Sequence, residues 1–131
     1  MEEVHLLDRD RLSPVSFASC DPVRHSNPRR AGSFARQLAL RVKDETGKWR
    51  PNFELKDGRR GVLHAGEFCI LIAVVRGETN DLLEADLAFA LRRIEHRFRE
   101  AFLHGQPLLK ELQPLLEECL LIHSPAAPLT A

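Results

Sequence analysis

The sequence predicts an α/β chain of the α+β type: a five-stranded antiparallel sheet sandwiched between one helix on one face and two helices on the other. Three observations carry that expectation. Residues 68–75, FCILIAVV, are apolar at every position, as in a strand covered on both faces; a half-exposed strand would alternate. Asp57-Gly58 and Ala65-Gly66 place tight turns before that run, which leaves no room for crossover helices and makes the neighbouring strands antiparallel. Helical patterns lie both before the turns and after the run, so helices are available for both faces.

The chain opens with two extended segments, residues 4–7 and 15–20, joined by Asp8-Arg9-Asp10-Arg11 and read as a hairpin. Residues 21–28, DPVRHSNP, read as a loop that ends in a helix start, with Asn27 as cap and Pro28 at the first helical position. Ala31, Phe34, Ala35, Leu38 and Val42 then recur at helical spacing, and Gly47 is placed to end a helix over roughly 28–45. Phe53 and Leu55 mark a strand that runs into the Asp57-Gly58 turn, residues 61–64 return, and residues 68–75 follow as the central strand. Asp81 and Glu84, with Asn80 just before them, read as a capping box. The helix behind it carries one apolar stripe, Leu83, Leu87, Leu91, Ile94, Phe98 and Phe102. Its opposite face carries Glu84, Arg92, Arg93, Glu95, His96, Arg99 and Glu100. About 22 residues at 1.5 Å each make it about 33 Å long. Gly105 closes it, and PLLKELQPLLEECLLI forms a last helical stretch that Pro114 is expected to break or kink. Residues 1–122 are thus expected to form one domain, and 123–131 a disordered tail.

Composition narrows the function classes. The chain has 131 residues, 44% apolar and 29% charged, with 19 Lys plus Arg against 19 Asp plus Glu. A dedicated nucleic-acid binder draws its affinity from a basic excess, and this chain has none. The arginine clusters at 29, 30, 36 and 41 and at 92, 93, 97 and 99 read first as solvated helix faces. Arg92 and Arg93 also keep open a peripheral contact with an anionic membrane. Cys20, Cys69 and Cys119 form neither a disulfide framework nor a zinc pattern, and the N-terminal MEEVHLLDRD is not a leader, so a cytoplasmic location is expected.

Asp8-Arg9-Asp10 after an apolar run resembles the D-x-D nucleophile motif of haloacid-dehalogenase phosphatases, with the Asp81 region as the later magnesium-binding motif. That resemblance implies a small Mg²⁺-dependent phosphatase using Asp8, Asp10 and Asp81, on a parallel sheet that the meander of residues 53–75 does not match. The six histidines lack H-x-x-x-H spacing, the serines lack a G-x-S-x-G setting, and there is no glycine-rich phosphate loop, so no metal or cofactor is expected. Trp49, between Lys48 and Arg50, reads either as a partner anchor or as a cap on the core edge.

The order strand, strand, helix, three strands, long helix, kinked helix resembles the longin fold. That fold is shared by longin domains of vesicle-fusion proteins, the sigma and N-terminal mu portions of clathrin adaptor complexes, and roadblock proteins. The sigma-like pattern is met over residues 61–122. It consists of His64-Ala65-Gly66, the apolar strand, the acidic turn 78–81, and a helix ending in Ile94, Phe98 and Phe102. The resemblance implies a longin-like (profilin-like) domain that is a non-enzymatic protein-protein interaction module. Its partner would be a small GTPase or a subunit of a trafficking or signalling complex, engaged as a homo- or heterodimer. Phe34 and Leu38 on the first helix, Trp49, Phe53 and Leu55 near the edge strand, and Arg92 and Arg93 on the long helix are the candidate interface residues.

Overall fold

The computed structural model describes residues 1–122; the tail expected at 123–131 lies outside them. Strand β1, Glu3–Asp8, turns back into β2, Pro14–Ser19. Two helices follow, α1 (Pro22–His25) and α2 (Pro28–Val42), then the meander β3 (Asn52–Glu54), β4 (Arg59–Ala65) and β5 (Cys69–Arg76). Helices α3 (Asp81–Arg97), α4 (Arg99–Leu103) and α5 (Leu109–Ile122) complete the described chain. All strand pairs are antiparallel, and the sheet order is β2-β1-β5-β4-β3.

The all-apolar run is the middle strand, as its composition predicts. Alternation along the pleat divides it between two cores. Cys69, Leu71, Ala73 and Val75 meet Leu83, Leu87, Leu91 and Ile94 of α3 and Leu112, Leu116 and Leu120 of α5. Ile70 and Ile72 point the other way, onto Ala35, Leu38, Ala39 and Val42 of α2. Helix α5 packs across β1 and β2, while α3 packs on β4 and β5. One helix layer thus covers one face and two helices cover the other. No helix of the described residues is long and apolar enough to cross a membrane.

Several local expectations are corrected. The segment read as a loop at 21–28 contains one helical turn, α1, capped by the Asp21 carboxylate, which accepts from the Val23 amide at 3.0 Å. Asn27 does cap α2, accepting from the Arg30 amide at 3.2 Å, but the helix stops at Val42. Asp44 then organises a turn by accepting from the Thr46 and Lys48 amides, both at 2.9 Å, and Gly47, with φ of 87°, belongs to that turn. At α3 the cap is Asn80, whose Oδ1 accepts from the Leu83 amide at 2.8 Å. Asp81 and Glu84 therefore sit inside the first turn, where the positive end of the helix dipole favours carboxylates. The long helix is bent at Phe98 (φ −108°, ψ 22°) into α3 and α4, and after the bend the Phe102 ring stacks on Phe68 with centroids 5.6 Å apart. Pro114, expected to break or kink the last helix, does not break it: α5 runs on from Leu109 to Ile122. The carbonyl that loses its amide partner belongs to exposed Lys110 in the first turn, where solvent substitutes.

Candidate functional site

The fold redistributes the residues singled out in the sequence. Leu38 and Phe53 are 5% and 4% exposed and belong to the core beneath α2, because β5 needs its second face covered. Phe34 is half-buried, with the Arg24 guanidinium 4.2 Å above its ring and His5 beside it at 5.7 Å. Half-buried Trp49 donates from Nε1 to the Ala39 carbonyl at 3.1 Å and carries Lys43 over its ring, so it staples the following loop to α2. Leu55 is half-buried against the same core. The surface expected from α2 and β3 is therefore built largely of side chains that pack inward. Arg92 and Arg93 alone of the seven are fully exposed, and they lie on different flanks of α3.

The phosphatase residues do not converge. Asp8 pairs with Cys69 at the start of β5, whereas Asp81 follows the other end of that strand, and eight strand residues separate the two by about 24 Å. Among the described residues no three His, Cys, Asp or Glu side chains are grouped to hold a metal ion.

Helix α3 organises what remains. At 100° per residue its buried stripe leaves two flanks, and the sequence assigns them different chemistry. The first flank carries Ala88, Arg92, Glu95, His96 and, in α4, Arg99. With Arg9 and the β4–β5 turn (His64, Ala65, Gly66, Glu67) it encloses a cleft of about 600 Å³. Glu95, expected on the solvent face, is instead buried at 8% exposure. Its carboxylate accepts from the amides of Glu67 (3.1 Å), Phe68 (2.6 Å) and Cys69 (3.0 Å), supplying the acceptors that the start of β5 cannot find in the sheet. Gly66 permits this approach, since a Cβ there would overlap the Glu95 carboxylate. Arg9 donates from Nη1 to the Gly66 carbonyl at 2.5 Å, and Arg99 donates to Glu67 Oε2 at 2.8 Å while lying over the Phe68 ring. The His64 Nε2 is buried without a hydrogen-bond partner among the described residues. Burial lowers the pKa of that imidazole below its usual 6.5, with the Glu84 carboxylate opposing the shift, so the ring is neutral at pH 7. Burial also raises the Cys69 thiol far above its usual range, with help from Glu95, which makes it a core residue and no nucleophile.

The second flank faces α5. Asp86, Phe89, Ala90, Arg93, Ile94, His96 and Arg97, with Leu115, Glu118 and Cys119, line a groove of about 480 Å³. Phe89 stands at its rim, 54% exposed, with the Arg93 guanidinium 5.9 Å above its ring. Burial raises the Cys119 pKa as well, with Glu118 adding to the shift.

Sequence reasoning missed Glu95 and also a buried polar pair. Glu3 and His5 are 4% and 1% exposed, with His5 Nε2 and Glu3 Oε1 2.8 Å apart and Arg24 Nη1 3.3 Å from the same oxygen. The signal for Glu95 was present in Gly66, a glycine in a turn whose close neighbour only the fold reveals. Comparison with known proteins gives no family model, no curated protein and no solved structure that matches this chain.

Proposed function

We propose that this chain is a non-enzymatic protein-protein interaction module of the longin or roadblock type, which binds or regulates a small GTPase or serves as a subunit of a larger complex. The element order and the one-helix, two-helix layering agree with what the resemblance implies for the fold. The observation that carries the functional reading is Phe89, a large aromatic ring left 54% exposed at the rim of the apolar α3–α5 groove. Aromatic anchors beside arginines are the composition of interface hot spots, and Arg93 and Arg97 supply the arginines. Contact with the partner therefore centres on this flank of α3, with Arg93 retained from the residues named in the sequence.

The test is binding of purified small GTPases, loaded with GDP or a GTP analogue, together with the mass of the chain in solution. A GTPase complex or a dimer, in either case weakened at least about tenfold by Phe89→Glu, supports the module. A monomer that binds none of the GTPases in either nucleotide state overturns it, as does binding that ignores the substitution. Phe89 is exposed, so the variant should keep the stability of the parent within about 0.5 kcal/mol.

A further inference from the structure

The cleft on the other flank of α3 is lined by three guanidiniums, from Arg9, Arg92 and Arg99, and by the imidazoles of His64 and His96. They come from four separate elements: the β1–β2 connection, β4, α3 and α4. Of the two carboxylates in the lining, neither is free to neutralise them all. Glu95 is occupied by three backbone amides, and Glu67 pairs with Arg99 alone. Arg9 has no carboxylate partner among the described residues; its hydrogen bond goes to a carbonyl, which leaves its positive charge uncompensated. The side chains of Arg92 and His96 make no hydrogen bond or ion pair among the described residues. Glu95 is the one glutamate a turn away from both Arg92 and Arg99, and it is turned inward onto backbone amides, while position 88 is alanine and position 96 is histidine. Three guanidiniums against two carboxylates thus leave the lining one positive charge in excess, directed into the cleft.

We propose that this cleft binds a compact anion bearing phosphate monoesters, with Arg9 and Arg92 as its principal contacts. Guanidinium forks match phosphate oxygens in pairs, and two or three of them converging from different elements hold more than one phosphate group. The volume of about 600 Å³ lies in the range of small-molecule sites and accommodates a phosphorylated polyol, free or as the head of a lipid. The Arg99–Glu67 pair, at 2.8 Å and half-exposed, gives a third guanidinium that can turn to the ligand at little cost. This cleft shares only His96 with the α3–α5 groove, and its occupancy does not require the proposed partner.

The experiment titrates the full chain with pyrophosphate and with inositol trisphosphate by calorimetry. In parallel, sedimentation is measured with phosphatidylcholine vesicles that carry or lack phosphatidylinositol bisphosphate. Inositol trisphosphate should bind, more tightly than pyrophosphate, and the affinity should fall with added salt. Arg92→Gln should weaken it at least about tenfold, and Arg9→Gln similarly, while Arg41→Gln on α2 leaves it unchanged. Retention on bisphosphate vesicles together with soluble binding assigns the headgroup as a source, and soluble binding without retention assigns the free compound; both support the site. Absence of binding to every probe overturns it. So does binding that survives Arg92→Gln and Arg9→Gln, or that Arg41→Gln weakens equally, since diffuse surface charge would then explain it. Arg92 is exposed and its side chain makes no hydrogen bond or ion pair among the described residues, so its variant should fold like the parent, which the melting curve checks.

Discussion

Glu95 shows how one side chain can serve the backbone of a distant turn. Three amides at the start of β5 would lack acceptors without it, and each unsatisfied buried amide costs about 1–3 kcal/mol. Glu95→Ala should therefore destabilise the fold by about 2–4 kcal/mol in urea unfolding, the partial exposure of the turn reducing the simple sum. Glu95→Gln should cost less, because it keeps one acceptor oxygen. An unchanged midpoint for both variants would refute this role. His64 makes a second prediction at the same scale. Its folded pKa lies below the 6.5 of the unfolded chain because burial disfavours the charged ring. The unfolded state then takes up its proton first, so stability is full above that pH and falls as pH drops from 6.5 toward the folded value. Unfolding midpoints should decline from about pH 7.5 to about pH 5.5, and His64→Gln should flatten part of that decline. A variant with the same pH slope as the parent would show that other groups set it.

Among the elements, the helices show which end signals can be read locally. Asn27 caps as its position suggests, and at α3 the cap falls on Asn80, one residue before the Asp81 expected from the capping box; either asparagine needs only its own backbone neighbours to bond. Asn80→Ala should cost about 1 kcal/mol in thermal or urea unfolding, and Asn80→Asp should restore most of it; an Asp81 variant should have the smaller effect. The opposite ordering would return the cap to Asp81. The bend at Phe98 and the passage of α5 through Pro114 were not legible. The bend accompanies packing on Phe68, far away in sequence, and the passage through Pro114 depends on Lys110 being exposed in the first turn of α5, which only the fold decides.

At the scale of the whole molecule, the sheet explains why some sequence candidates became core and others surface. A middle strand apolar on both faces demands two layers, and α2, with Leu38 and Val42, supplies one of them from the residues first considered for an interface. The three-residue β3 contributes Phe53 to that same core and offers little edge for pairing. On the other face α3 is only half enclosed. Its buried stripe anchors it to β4 and β5, while its flanks border α5 and the β4–β5 turn. Because Phe89 and Arg92 lie outside the stripe, substitutions there should leave packing intact, and this separation makes the two proposed sites testable in folded protein.

The sequence by itself determined the order of the strands and main helices, the antiparallel meander and the two-faced middle strand. Those follow from periodicity and turn chemistry, which act over a few residues. Only the tertiary structure decided which charged residues share a cavity. Arg9, His64, Arg92 and Arg99 are scattered over ninety positions of the chain, and register and helix packing alone bring them to one cleft. Glu95 illustrates the same division: on a helical wheel it is one more surface acid, and in the fold it is the acceptor that holds the turn on which that cleft is built.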